Sequence, residues 1–379
     1  MNPALPRPNR PRWDDHDDLP LSPLAGDAEA EVCVVGLGGS GLSCIAEALA
    51  LGARSVIGID AIGVAAGAAG RNGGILRAGI SAFHHDAVDM FGRDRAVAIR
   101  QRTAAEIDRT AREFPHAVRR TGSLRIASSV EELADCERQR IQMVADGFAV
   151  EPYDGPEGRG ILIPDSATVH PILRCRTMAA RALERGARLH GDTTARAIES
   201  GRVRTDRGTI TARHVMVCVD GNLERLVPEL GATVRTARLQ MLATAPAPEV
   251  SFPRPVSTRN GYDYWQQLPD GCVLLGGGRD TAPEQEWTSD DLPSDPIQDY
   301  LSRTLRSILG VRAEITHRWA ASVAYTTTGL PVFRSLGDGV YVMGAYSGTG
   351  NAVGSLFGRG AAQLAFTGRS ELLSPFLDD

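Results

Sequence analysis

The sequence predicts an α/β fold: a Rossmann-like nucleotide-binding domain assembled from separated segments, with a β-rich domain inserted between them. Three observations predict it. A short β-branched run, EVCVVG at 31–36, leads through a glycine cluster into an amphipathic helix. The middle of the chain, from about 232 to 276, turns mostly β in pattern. A strand, a Gly-rich turn and a helix then return near the C-terminus. Strands alternating with helices argue for a parallel sheet, and an interruption by strands alone argues for a second domain.

Composition narrows the function classes. The chain has 379 residues, 42% hydrophobic and 23% charged, enough for packed cores in two or three domains and too apolar for overall disorder. Its net charge of −5 argues against nucleic-acid binding, which needs a basic face to neutralise phosphates. All 41 basic residues are arginine, so no step can use a Schiff-base or phosphate-binding lysine. The six cysteines form no C-x-x-C pair, which points to a reducing cytoplasm without disulfides or a metal site. The N-terminus lacks an apolar signal core, and no 18-residue apolar window predicts a membrane span.

Residues 1–28 hold six of the 22 prolines and read as an extended arm lying on a domain through Trp13 and Leu21, or as a disordered tail. After the strand at 31–36, Leu42, Ile45, Ala46 and Leu49 recur at helical spacing. A second strand at 55–60 completes a βαβ unit. Residues 61–80 are small and Gly-rich, neither helix nor strand. Helices are expected at 94–114 (Ile99, Ile107, Ala111 and Phe114 inward), 130–145, 171–186, 296–309 and 351–366. Strands are expected at 124–127, 214–219 and 339–343.

Gly36-Leu37-Gly38-Gly39-Ser40-Gly41 is a G-x-G-x-x-G fingerprint between strand and helix. The first glycine allows the tight turn, the second lets backbone approach a pyrophosphate, and the third lets helix and strand pack closely. The helix N-terminus offers free N–H groups to the phosphates. Asp60, followed by Ala61, ends the second strand, where an acid accepts from a ribose hydroxyl and disfavours a 2′-phosphate. Two further glycine clusters favour FAD over NAD: Gly67–Gly74, including Gly70, Arg71, Asn72 and Gly73, and Gly344–Gly350, including Ser347, Gly348 and Thr349. Loops poor in side chains can pass close to a planar ring, and a helix N-terminus stabilises a reduced, anionic flavin. Gly350, Gly354 and Gly358 recur on one helix face and permit close packing.

Several pieces, in order, resemble the FAD-dependent D-amino-acid oxidase superfamily, in its glycine oxidase, sarcosine oxidase and gamma-glutamylputrescine oxidoreductase-like branch. They are GAAGRNGG at 67–74, DGNLERLVPEL at 220–230, RLQMLAT at 238–244, YWQQLPDGCVLLGGG at 264–278, RWAASVAYTTTGLPV at 318–332 and GAYSGTGNAVG at 344–354. The resemblance implies an FAD domain (29–90, 155–225 and 320–379) beside a substrate domain with a large, mainly antiparallel sheet (91–154 and 226–319). It implies oxidation of a C–N bond by hydride transfer to flavin N5, giving an imine, with a small amine or amino acid as substrate. It also implies that the fingerprint, Asp60, Ala195, Gly221, Gly70–Gly74 and Ser347–Gly350 hold the cofactor.

Departures from the family pattern carry their own implications. The covalent-attachment position matches Val323, so the FAD is expected to be non-covalent. The two family lysines for oxygen activation and carboxylate binding match Leu274 and Ala352, which leaves O2 or another acceptor open. Arg77 matches the carboxylate-binding arginine, with a structural or FAD-facing role as the alternative. Tyr264 and Tyr325 are candidates for the pocket wall, and His84 for the pocket mouth. The adjacent pair His84–His85 makes a poor metal site. An NAD-dependent dehydrogenase and a non-catalytic flavin protein are the rival readings. The assembly is expected to be a monomer or homodimer.

Overall fold

The computed structural model describes residues 9–14 and 19–377. Much of the expected arm, residues 1–8 and 15–18, lies outside the described residues. Two large sheets organise the chain, as the sequence implied. The first runs Val332–Gly337, Val340–Gly344, Thr209–Cys218, Ala28–Val35, Val56–Ile59, Arg188–His190. Its four central pairings, from Val340–Gly344 across to Arg188–His190, are all parallel. The hairpin Ala195–Glu199 and Arg202–Thr205 extends it from the start of Thr209–Cys218.

Parallel strands buried on both faces need continuous apolar runs, and Val32–Val35 supplies one. Val32 and Val34 pack into one core with the helices Gly39–Ala50 and Val353–Thr367, while Cys33 and Val35 pack into a second core on the opposite face. The alternation follows from the two-residue period of a strand.

The second sheet runs Ile315–Thr326, Val234–Pro246, Cys272–Gly276, Asp263–Gln267, Val256–Thr258, Ser123–Ile126, Gly158–Ile163, Glu151–Gly155. Every neighbour is antiparallel except Val256–Thr258 beside Ser123–Ile126. The helix Asp295–Ser307 covers one face with Ile297, Leu301 and Leu305, one turn apart, packed on Leu242 and Leu275. The expected boundary at 154/155 falls inside the paired strands Glu151–Gly155 and Gly158–Ile163. The boundary at 319/320 falls within Ile315–Thr326, which pairs along its length with Val234–Pro246 in the second sheet. Among the elements without a counterpart in the sequence reading are the helix His84–Phe91, the strands Glu151–Gly155 and Gly158–Ile163, and the twelve-residue strand Ile315–Thr326.

Trp13 anchors the described part of the arm. It is 2% exposed and donates from Nε1 to the Asn72 carbonyl at 2.7 Å. Trp13→Ala is expected to cost about 3–5 kcal/mol, the usual penalty for emptying a buried tryptophan site, and a lower urea midpoint for the variant checks it.

Candidate functional site

The glycine fingerprint has the geometry its spacing predicts. Gly36 adopts φ +102°, and a Cβ there would lie 2.5 Å from the Cys218 carbonyl oxygen. A Cβ on Gly41 would run into the Gly36 carbonyl. Gly39 is different: the nearest atoms to a Cβ there are 4.0 Å away, so it opens onto free space. The helix Gly39–Ala50 starts without a side-chain cap, leaving its first N–H groups available. Asp60 accepts from the backbone N–H of Leu37 at 2.9 Å and of Ile62 and Gly63 at 3.0 Å, which folds the turn after the strand around its carboxylate. Burial pushes its pKa up, against those donors.

The three glycine clusters, far apart in the chain, converge. Tyr346 donates to Ser40 Oγ at 2.8 Å, joining the C-terminal turn to the fingerprint. Asn351 Nδ2 donates to Asn72 Oδ1 at 2.9 Å, joining the same region to the second cluster. A Cβ on Gly350 or Gly354 would lie 3.2 or 3.3 Å from the Tyr346 ring, and one on Gly358 would run into the Ser40 carbonyl; Gly354 and Gly358 give the close packing expected of one helix face, whereas Gly350 sits in the turn before the helix Val353–Thr367. The loop 67–74 is held from outside: Trp319 donates to the Arg71 carbonyl at 2.8 Å, Gln266 donates to the Gly73 carbonyl, and Arg71 itself spans to the carbonyls of Asn9 and Ala320. Arg71 is therefore spent on tying loop, arm and strand together. Gly70 has no room for a side chain beside the Ala65 carbonyl.

Beside these loops stands an aromatic and cationic wall. The Tyr264 ring fills the space left by two glycines: a Cβ on Gly73 would lie 2.9 Å from its edge and one on Gly276 2.7 Å from its hydroxyl. The Tyr325 hydroxyl is the nearest atom to Gly348, at 3.9 Å from a Cβ placed there. Arg279 sits among three rings, 4.7 Å from Tyr325, 4.9 Å from Trp287 and 5.4 Å from Tyr262. Arg77, just past the short strand Ile75–Leu76, donates to Ser257 Oγ at 3.2 Å and makes no ion pair among the described residues. Burial pushes its pKa down, and the neighbouring Tyr264 acts the other way. Burial raises the pKa of both tyrosines, which stay neutral.

The C-terminal turn is shaped by a residue the sequence reading passed over. Ala345 and Ser347 both take positive φ, 51° and 49°, unusual for residues with a Cβ. Asp220 holds them, accepting from the N–H of Tyr346 at 2.9 Å and of Ala324 at 3.4 Å. Burial outweighs these donors and pushes its pKa up to about 6. A raised carboxyl pKa stabilises the fold fully below the unfolded value near 4 and loses that contribution as pH rises through 6. Wild-type stability is thus expected to carry a falling component between about pH 4 and 6 that Asp220→Asn removes, read from denaturation midpoints across that range.

Arg77, Tyr264, Tyr325 and the three glycine clusters are thus brought together. His84 begins the helix His84–Phe91, pairs through Nε2 with Asp146 at 2.7 Å, and lines with Arg77 a cavity whose wall includes neither tyrosine. Ala195 begins the outer hairpin, Ala61 is exposed after Asp60, and Thr349 caps its own turn on the Tyr346 carbonyl at 2.7 Å. Gly221 and Gly344 give close packing, with no room for a Cβ beside Ser322 and Val219. Arg279, Asp220 and Asn351 were missed. The Asp before Gly221 and the Asn after Gly350 were legible as polar residues flanking glycine turns; nothing local marks Arg279.

A family model described as FAD dependent oxidoreductase matches residues 31–364. A probable oxidoreductase, OrdL, of Rhizobium meliloti is 27% identical over 386 residues, covering 94% of this chain and 87% of its own length. Among solved structures, glycine oxidase from Geobacillus kaustophilus is 19% identical with a TM-score of 0.76, covering 92% of this chain and 98% of that one. L-proline dehydrogenase from P. horikoshii is 18% identical with a TM-score of 0.75, covering 91% and 96%. At these identities the two structures establish a shared fold. No helix among the described residues is long and apolar enough to cross a membrane.

Proposed function

Because the chain belongs to the FAD-dependent oxidoreductase family, we propose that it oxidises the C–N bond of an amino acid, or of an amine bearing a carboxylate, to an imine that water hydrolyses. The residues present fit the cofactor. Gly39 and Gly67 open onto space where side chains would stand, and the fingerprint helix leaves its N–H groups uncapped. Gly36, Gly38 and Gly41 with Ser40 would take the pyrophosphate, Asp60 the ribose, and Gly73, Gly74, Ser347 and Gly348 the ring system. No cysteine stands at position 323 and all six are buried, in keeping with a cofactor held without a covalent bond.

When bound, the flavin accepts two electrons from the donor carbon. The chain's own contribution is binding and orientation. The observation that carries the reading is Arg77, a half-buried residue whose guanidinium makes no ion pair among the described residues, beside Tyr264 and the second glycine loop. A planar cation in that state suits a substrate carboxylate in a bidentate pair. Tyr264 and Tyr325 would wall the donor against the ring and exclude water, and Arg279 would keep the Tyr325 ring in place.

Anaerobic mixing of the yellow holoenzyme with glycine, N-methyl amino acids, L- and D-amino acids and polyamines tests this. Carboxylate-bearing amines are expected to bleach the flavin; bleaching by none of them, with cofactor bound, overturns the reading. Admitting air to the bleached enzyme then separates an oxidase, which recolours at once, from a dehydrogenase.

A further inference from the structure

Beside Arg77 lie two further buried guanidinium groups, Arg100 and Arg125, to which the proposed reaction gives no part. Arg77, Arg100 and Arg125, with His84, Gln139 and Ser166, line an internal cavity of about 40 Å³. Arg100 and Arg125 are only 4% and 7% exposed. Arg100 has one carboxylate, Asp165, at 3.1 Å. Arg125 has none among the described residues: it donates to Gln139 Oε1 at 3.2 Å and stacks 4.0 Å from the Phe83 centroid. The Nε atoms of Arg100 and Arg125 are buried without a hydrogen-bond partner. Asp146, the carboxylate on His84, is already shared with Arg93 at 2.5 Å and Gln142 at 3.0 Å.

Three guanidinium groups, Arg77 half-buried and Arg100 and Arg125 buried, thus have one ion-paired carboxylate among the described residues, Asp165. Burial, and then the nearby charge of Arg77, bring the Arg125 pKa down to about 10, and burial lowers that of His84. At neutral pH the arginines remain charged and His84 is largely neutral, so nothing at the cavity wall balances the excess. Buried charges are stable when paired and costly when not. The cavity exceeds the roughly 10–15 Å³ that one water needs, and its donors point to a negative guest.

We infer that this cavity is an anion site taking one small monoanion, a carboxylate group or a halide, between Arg77, Arg100 and Arg125. The anion has two sources: a free ion, or the distal carboxylate of an acidic amino-acid substrate, because Arg77 borders both this cavity and the Tyr264 wall. The anion site stands independently of the proposed reaction; only its second source rests on that reading.

Thermal unfolding of the holoenzyme tests it, at constant ionic strength set with a bulky buffer anion. Formate, chloride, and L- and D-aspartate, glutamate and alanine are titrated separately, without reading turnover. A ligand of the native state raises Tm in a saturating way. Formate or chloride doing so in wild type but not in Arg125→Met identifies a free-ion site. Aspartate or glutamate alone doing so, with loss in Arg125→Met while any alanine effect persists, identifies the substrate arm. Arg125→Met is also expected to unfold at a higher temperature than wild type in anion-free buffer, since an unpaired buried charge is gone. If that variant does not fold, Arg125→Gln, which keeps a donor toward Gln139, carries the same comparison. No saturable shift with any of these ligands in wild type, or a shift unchanged in the variant, overturns the inference.

Discussion

Gly39→Asp is expected to stabilise the apoprotein while destroying its affinity for FAD. Gly39 is the first residue of the helix Gly39–Ala50, its φ is not in the left-handed region, and a side chain there meets nothing closer than 4.0 Å. An aspartate in a first helical turn gains about 0.3–1 kcal/mol from the helix dipole, and a residue with a Cβ outperforms glycine in a helix by a few tenths more. One of the two atoms at 4.0 Å is Nη1 of Arg174, a buried guanidinium without a carboxylate partner, which adds to the gain. The same carboxylate would face the pyrophosphate. Two unit charges about 4 Å apart repel by roughly 4 kcal/mol at an effective dielectric of about 20, so a loss of at least ~100-fold in affinity is expected, at about 1.4 kcal/mol per tenfold. Flavin fluorescence quenching on titration into apoprotein gives the affinity, and urea unfolding gives the stability. Wild-type affinity in the variant would mean that the phosphates do not lie at this helix.

Arg77→Met is expected to split substrates by charge. A bidentate guanidinium–carboxylate pair comprises two charge-assisted hydrogen bonds, each worth about 1.5–3 kcal/mol, so kcat/KM for amino acids should fall by roughly 10²–10⁴ at about 1.4 kcal/mol per tenfold. Amines without a carboxylate should react as before. The folded state should gain stability, because a half-buried cation without an ion pair among the described residues is replaced by an apolar chain of similar length. Stopped-flow bleaching with paired substrates, such as an amino acid and its decarboxylated amine, measures the split. Equal losses for both members of a pair remove the carboxylate role.

Much of the fold was legible because local pattern and tertiary demand agreed. The helix Val130–Ala145 matches its expected range, and its Ser129 side chain accepts from the Glu132 N–H at 3.2 Å. The fingerprint was legible because steric exclusion of a Cβ leaves glycine as the only choice at Gly36 and Gly41. The strand Ile315–Thr326 was not legible: ITHRWAASVAYT is rich in alanine and polar residues, and its extended state comes from pairing along Val234–Pro246. The helix His84–Phe91 carries three charged or polar residues at its start, and its buried face is created by the core beside Phe83 and Cys136.

By itself the sequence determined where the backbone packs too closely to admit a Cβ and where a glycine turn leads into a helix, because glycine requirements are local. Only the tertiary structure decided which of 41 arginines remain without a counter-charge. Arg71 spends its guanidinium on carbonyls, Arg100 finds Asp165, and Arg77 and Arg125 find no carboxylate among the described residues. Pairing depends on which side chains meet across segments up to hundreds of residues apart, and burial then fixes the electrostatic cost of leaving a charge alone.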